Sequence, residues 1–494
     1  MSSIQKLFLH FGQFFGTGTI FLLLSFVTFP ILTRFLTRED YGILGLVTNT
    51  IAIAVAIAKG GLSDSIIRFY REYTDSTQRL ALFTSTVVTR AVLFAGIVVA
   101  VYLFTLPNIK RFIGVDARYF DSFLIMAVYL FVRPLNIVVM NCMRALGRIF
   151  LLNAFNVLTK VVEIALAFLL LFWLIGELYG YFLGVALAQV GATVFLYRWL
   201  LKSHGFSIRQ VSGTLTVNLL RFGVPLLLTE IAYLLLSFTD RYMIVAYHGQ
   251  AVLGLYTVGY NVPSYINDMV MFSLSYAVVP IYTEIYRREG KVATEVFLSR
   301  SLKYYVLAVI PLCVGYAAVA EDTLTALASA KYTEAAGFSP IVLIGLVFLG
   351  MNSILYAGLY VQKRTGQMLS IMLAAVAINI GANVLLLPPY GATGAAIATM
   401  ISCIASSVLT AILSWRYLRI GIPYFTIAYY SAVSVLMYFI VTWIDTDHPW
   451  LNLGTRIPLG MAIVAAATLA REKEIRAYAW RLIEAVAGKW LKRS

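Results

Sequence analysis

Four cations, Arg90, Arg133, Lys160 and Arg221, fall inside stretches that are otherwise apolar enough to cross a membrane. A charge in hydrocarbon is costly, so such residues face a bundle interior or a water-filled path. Their chemistry suits an anionic or polar cargo, which they would hold by replacing part of its hydration. Arg90 stands near one end of its span, where its long side chain could equally reach the interface. Arg133 is deeper and precedes Pro134, whose missing N–H weakens the helix and frees a carbonyl. Lys160 and Glu163 are three apart on one helical face and can neutralise each other. That pair is either a structural ion pair or a switch, in which an anionic cargo takes Lys160 and leaves Glu163 to accept a proton.

The second half adds further candidates. Arg221 lies near the start of its span, Glu230 near the middle, and Asp240 with Arg241 near the far end. Glu230 is the hardest of these to explain as an interface anchor. Asp268, preceded by Asn261 and Pro263, interrupts the next span and could bend it during a conformational change. Arg34 closes the first span. Arg90, Arg133, Lys160 and Arg221 are therefore the candidates for binding, and Glu163, Glu230, Asp240, Arg241, Asp268 and Arg34 those for coupling or gating. Asn379 and Asn383 share a face and read as hydrogen-bond partners for neighbouring helices.

Signatures of enzymes are missing. There is no phosphate-binding loop of the Gly-x-x-x-x-Gly-Lys type. His10, His204, His248 and His448 are scattered without metal-ligand spacing. The Asp445, Thr446, Asp447 triplet beside Pro449 reads as a solvated turn rather than the acidic pair of a glycosyltransferase. Cys142, Cys313 and Cys403 offer no disulfide framework and read as small buried hydrophobes. The expectation is no enzyme, no metal and no cofactor beyond a coupling ion, a proton or sodium.

The elements that position these residues follow from composition. The chain has 494 residues, 61% hydrophobic and 12% charged, with a mean hydropathy of +0.84. Charged residues in soluble domains approach about 25%, so this is an integral membrane protein of the all-α class. Spans of about 20 residues are expected near 10–34, 41–61, 83–106, 121–141, 150–173, 179–201, 219–246, 252–278, 304–320, 339–361, 368–388, 391–415, 424–444 and 451–470. The apolar run after Lys6 continues to Phe29 without a small-residue cleavage site, so it reads as a retained first span. The longest loops expected are 62–82, 279–303 and 321–338, too short for a folded extramembrane domain.

The net charge of +15 raises the question of nucleic acid, and its distribution answers it. With the N-terminus inside, about 25 Lys and Arg fall in cytoplasmic segments, about 7 in opposite loops and about 6 within spans. The excess is the positive-inside pattern, with both termini cytoplasmic and no nucleic-acid partner. The tail after Ala470 alternates Ile475, Ala479, Leu482, Val486 and Trp490 with Arg471, Lys473, Arg481, Lys489, Lys492 and Arg493. It reads as an interfacial helix on anionic lipid.

An internal repeat shows at an offset of about 210 to 220 residues. Tyr41, Gly42, Ile43, Leu44 is echoed by Leu253, Gly254, Leu255, Tyr256, and Gly147 by Gly366. Six spans repeated in the same orientation give two bundles related by a pseudo-two-fold axis along the membrane normal, with a cargo site between them. The division expected is 1–215, 216–420, two extra spans in 421–470, and the tail 471–494.

Pro30, Leu32, Thr33 and Arg34, then Asp40, Tyr41 and Gly42, then Arg68, Phe69, Tyr70 and Glu72 resemble the first half of bacterial polysaccharide flippases of the O-antigen, Wzx type. Asp240, Arg241 and the Leu253 to Tyr256 stretch resemble that family's second half. The resemblance implies the multidrug, oligosaccharidyl-lipid and polysaccharide exporter superfamily, whose two six-helix bundles alternate between inward-open and outward-open states around a central cavity. It also implies a cargo, an oligosaccharide on undecaprenyl pyrophosphate, moved from the cytoplasmic to the periplasmic leaflet of the bacterial inner membrane. Membrane lipids, a polysaccharide polymerase and chain-length machinery are the partners it implies. A multidrug or organic-cation extruder would want acidic cavity walls, a lipid II flippase would share the two extra spans, and a sugar polymerase would want a longer far-side loop than 321–338, whose one cation is Lys331.

Overall fold

The computed structural model describes residues 20–477 apart from 22 and 114. Eleven of its helices are long and apolar enough to cross a membrane. Two of these each contain two spans, broken at Gly249 and at Gly391, and the shorter apolar helix Leu23–Phe35 opens the series. With those two breaks the eleven helices make thirteen spans, and Leu23–Phe35 is the described part of the first of the fourteen expected. They are α1 (Leu23–Phe35), α2 (Arg38–Ala58), α3 (Thr77–Ile113), α4 (Phe120–Ala145), α5 (Ile149–Leu169), α6 (Leu178–His204), α7 (213–248), α8 (250–288), α9 (Gly290–Leu327), α10 (Ser339–Leu355), α11 (365–390), α12 (392–414), α13 (Tyr424–Thr442) and α14 (Pro449–Arg471). Residues 10–19 of the first expected span and 478–494 of the expected interfacial tail lie outside the described residues.

Backbone groups in hydrocarbon must be satisfied within their own segment, which helices alone achieve here. Large apolar side chains such as Phe104, Trp173 and Trp443 are turned outward, more than four-fifths exposed. The interior is built from α2 and the α7–α8 stretch, where Ile43, Leu46, Val47, Leu253, Tyr256 and Val258 are fully enclosed. α4, α5 and α6 pack on one another, α10, α11 and α12 pack with α7–α8, and α13 and α14 lie against α9.

Three of the sequence expectations change. The stretch 279–303 is helical, because α8 runs on to Arg288 and α9 starts at Gly290 (φ 83°). Charge pairs one turn apart, Glu284 with Arg287 and Arg288, and Lys291 with Glu295, support these polar extensions. The segment 62–82 holds a short helix, Leu62–Phe69, before α3 begins. The repeat also takes a different register, since Gly147 (φ 74°) matches Lys363 (φ 55°) rather than Gly366. Each is followed by an arginine of nearly the same backbone, Arg148 at φ −82°, ψ 51° and Arg364 at φ −85°, ψ 51°. Their amides return to Met143 and Leu359 carbonyls at 3.1 and 2.9 Å. A lysine stands where the first copy uses glycine, so the eye aligns the wrong residue.

Gly42 and Gly254 show why the other echo matters. A Cβ on Gly42 would meet the Gln250 carbonyl oxygen at 2.5 Å and the Gly254 nitrogen at 2.8 Å, and one on Gly254 would overlap the Arg38 carbonyl. The two echoed glycines let the first turns of α2 and the start of α8 touch backbone to backbone, towards the face opposite Arg68, Arg79, Arg144 and Arg287. The face bearing those arginines is called the basic face below, and the opposite one the far face.

Candidate functional site

A polar cavity of about 210 Å³ lies where α1, α2, α5, α6, α7 and α8 converge. Its cations are Lys160 of α5 and Arg241 of α7. Thr28, Thr48, Asn49 and Asn261 add hydroxyl and amide groups, and Asn261 donates to the Tyr41 hydroxyl at 3.0 Å.

Each cation is backed by a carboxylate that does not line the cavity. Lys160 meets Glu163 at 3.2 Å, and Glu163 is buried. Gln189 of α6 donates its amide to Glu163, and Asn136 of α4 donates to the Gln189 oxygen at 2.6 Å. Three helices are thus tied through one buried polar chain. On the other side Asp240, fully buried, accepts from Arg241 at 3.0 Å, from the Tyr256 hydroxyl and from Thr399 at 3.4 Å. Arg241 lies over the Tyr260 ring at 4.3 Å, and its buried Nε has no hydrogen-bond partner. An anion entering the cavity would meet the ammonium of Lys160 and the guanidinium of Arg241 before either carboxylate.

The remaining predicted residues sit elsewhere. Arg90 donates to Thr216 at 3.1 Å and fastens α3 to the start of α7. Arg133 is half-buried near the middle of α4, where its charge and that of Glu163 both act on Tyr129. Arg221 and Asp268 are exposed. None of these four lines the cavity. Asn379 donates to Ser402 at 3.2 Å, joining α11 to α12.

Both mouths of the space between the early and late helices are bridged. On the far face, Arg34 donates to the Ala326 carbonyl at 2.8 Å, and Lys331 donates to the Leu36 carbonyl at 2.5 Å. Each cation thus caps the carbonyl end of the other side's helix, where the helix dipole favours positive charge. Arg38 and Glu334 add an ion pair at 3.0 Å. Towards the basic face, Glu230 of α7 meets Lys59, at the end of α2, at 2.5 Å. Lys59 escapes a sequence search because it lies close to the end of the expected span 41–61, where a lysine reads as an interface anchor, and its partner Glu230 is distant in sequence. Gln189 and Asn136 escape it because a neutral amide in a span carries no charge signal.

A second space, an apolar groove of about 1080 Å³, runs between α8, α9, α13 and α14. Tyr265 lines both the groove and the cavity, and Phe26 and Phe29, one turn apart on α1, line one each. The groove is fastened at both ends. Arg456 of α14 is buried against Asp322 at 2.6 Å and Asp445 at 3.0 Å. At the other end Glu472 meets Lys303 at 2.5 Å, while Glu474 accepts from the Tyr304 hydroxyl at 2.7 Å. No group of three or more His, Cys, Asp or Glu is placed to hold a metal ion among the described residues.

Comparison with known proteins gives a consistent picture. The family described as "Polysaccharide biosynthesis protein" matches residues 14–286, and the MatE family matches residues 225–385. An uncharacterised membrane protein of Methanocaldococcus jannaschii is 25% identical over 390 residues, 74% of this chain and 75% of that protein. The solved structure of a lipid II flippase, MurJ, in an inward closed conformation is similar with a TM-score of 0.76 and 16% identity, covering 93% of this chain and 99% of its own. An inward-facing multidrug resistance MATE family transporter of the MOP superfamily is similar with a TM-score of 0.67 and 16% identity, covering 81% and 94%. At these identities the solved structures speak for a shared fold.

Proposed function

The chain belongs to the polysaccharide biosynthesis protein family, and on that footing we propose that it is a flippase for undecaprenyl-pyrophosphate-linked oligosaccharide. Its cargo passes from the cytoplasmic to the periplasmic leaflet of a bacterial inner membrane by alternating access, for export of cell-surface polysaccharide. The protein is a multi-pass membrane transporter by family and fold; the cargo, the membrane and the direction are the proposal. So are the cytoplasmic termini, which follow from the positive-inside bias.

One observation carries this reading. The cationic cavity and the apolar groove share Tyr265 as a wall, so in this reading one side chain separates an anionic head at Lys160 and Arg241 from a long hydrocarbon chain among α8, α9, α13 and α14, and its movement would join them. An organic cation is disfavoured, because the carboxylates that would hold it, Glu163 and Asp240, already serve Lys160 and Arg241.

In this reading the units 1–215 and 216–420 rock against each other, and 421–470 supplies the groove wall. Arrival of the head at Lys160 releases Glu163, which is then free to take up a proton; a sodium ion is the other coupling ion in keeping with the site. Arg34 and Glu230 gate the two faces, Arg90 and Arg221 line the entry from the basic face, Arg133 assists at mid-span, and Asp268 belongs to the bending stretch of α8. A polymerase and chain-length machinery would receive the product.

The binding step is tested by titrating the protein in nanodiscs with undecaprenyl pyrophosphate and with a cationic dye. Wild type should bind the lipid, with at least about a tenfold loss in Lys160→Ala, the scale of one charge-assisted bond. Preference for the dye, unaffected by that substitution, would overturn the assignment.

A further inference from the structure

Two clusters built alike stand on the basic face, sharing no residue with the cavity or the groove. In the first, Arg148 at the entry to α5 lies over the Trp199 ring of α6 at 5.8 Å, with Arg144, Arg198 and Lys202 exposed on the same helix ends. In the second, Arg364 at the entry to α11 lies over the Tyr417 ring, just past α12, at 6.0 Å, with Lys363 and Arg416 exposed. The two arginines are equivalent by the matching turns of the internal repeat.

Unlike several cations on the same face, though like Arg71, which donates to the Ala145 carbonyl, these have no carboxylate partner among the described residues. Arg68, Arg79, Arg287, Arg288 and Lys303 each form an ion pair, whereas none of the seven cluster cations does so with a described residue. The sequence explains why: 335–444 contains no Asp or Glu, and 122–229 contains only Glu163, which is engaged by Lys160, and Glu177 at the far end of α6. Beside the unpaired charges, large apolar side chains face outward. Phe150, Leu151 and Phe195 are 73%, 47% and 64% exposed near the first cluster, and Ile412 and Trp415 are 53% and 46% exposed near the second.

Unpaired guanidinium, an interfacial aromatic ring and an outward apolar flank together match a phosphodiester headgroup with acyl chains beneath it. A soluble acidic protein or a nucleic acid would leave Phe150 and Phe195 without a role. We propose that each cluster is a headgroup site for an anionic phospholipid of the adjoining leaflet, one on each repeat, holding the entries of α5 and α11 at the membrane surface. The site on α5 anchors the helix that presents Lys160 to the cavity, but the proposal is independent of what the cavity carries.

The test is native mass spectrometry of the full-length protein with phosphatidylglycerol and phosphatidylcholine of equal chain length. Wild type should retain two phosphatidylglycerol molecules in preference to phosphatidylcholine. Arg148→Ala and Arg364→Ala should each lose one, and the double variant should lose the preference, at about fivefold in affinity per arginine. Arg287→Ala, which removes a cation that is already paired, should retain both. Both arginines are exposed, so the variants should keep the wild-type Tm, and the Lys versions should retain partial binding. Preference kept by the double variant, or lost equally in Arg287→Ala, would overturn the proposal, as would displacement of the lipid by millimolar inorganic phosphate.

Discussion

Lys160 and Arg241, on helices from opposite halves of the chain, face one cavity while their carboxylate partners stand behind them. The Arg241–Asp240 pair is buried and the Lys160–Glu163 pair is part-buried, and a buried pair is a costly way to stabilise a fold, since well-packed apolar side chains do as well. Their arrangement makes sense if the cations are to be lent to an anion that comes and goes.

The contact of Gly42 with Gly254 should tolerate no side chain. Gly254→Ala drives a Cβ into the Arg38 carbonyl, and overpacking of this kind costs about 1–3 kcal/mol or more. Thermal unfolding in detergent should show a Tm several degrees lower. Gly96→Ala, where nothing lies within 4 Å, should be neutral or slightly stabilising through helix propensity.

The bridges at the two faces should bias the protein in opposite senses. Lys331→Ala removes the cap on the Leu36 carbonyl and should favour opening at the far face; Lys59→Ala removes the partner of Glu230 and should favour opening at the basic face. A membrane-impermeant thiol reagent acting on Asn49→Cys in the cavity should label faster from the face that each variant opens. Equal labelling from both faces in both variants would rule out a gating role. The pair swap Lys59→Glu with Glu230→Lys should restore wild-type labelling. Because Glu230 is part-exposed, the energetic effect should stay within about 1 kcal/mol.

Much of this is legible in the sequence. Long apolar runs announce spans because hydrocarbon permits little else, and the Lys160, Glu163 spacing announced its ion pair. What stayed hidden depends on packing between distant segments. Lys59 and Glu230 are brought together by the crossing of α2 with α7, which no local pattern encodes. Asn136 and Gln189 look like ordinary polar residues until α4, α5 and α6 converge. The cavity also took only Lys160 from the four cations singled out for binding, since depth along a span does not tell which way a side chain points.

Acid should loosen the segment that follows α14. Glu474 is held below the ordinary glutamate range first by its hydrogen bond from Tyr304 and then by Arg300. A lowered carboxylate contributes stability above its unfolded value, about 4.3 for glutamate, and loses it as pH falls through the folded value. Hydrogen exchange of residues 472–477 should therefore be steady from pH 7 to about 5, after correction for intrinsic rates, and rise only below that range. Tyr304→Phe should move the rise to higher pH. A rise already complete near neutral pH would show that this carboxylate does not fasten the segment.

The groove should depend on Arg456. Replacing it by Ala leaves the part-buried Asp322 without its cation, with the Asn452 amide still donating to it at 2.9 Å, a change that should cost about 1–3 kcal/mol. The expected readout is selective loss of protection in α14 by hydrogen exchange, with α2 and α8 unchanged. Uniform loss through the whole chain would mean that α13 and α14 are integral to the core rather than a wall added to it.

The central claim is a cationic path for an anionic, lipid-linked head, and translocation tests it most directly. Proteoliposomes loaded with an undecaprenyl pyrophosphate oligosaccharide should show transfer between leaflets with wild type. In correctly inserted Lys160→Ala, transfer should fall at least about tenfold, the loss expected for one charge-assisted contact, and the Lys160→Arg variant should recover much of it. Unchanged transfer in Lys160→Ala, or export of a cationic dye without movement of the lipid, would contradict the account.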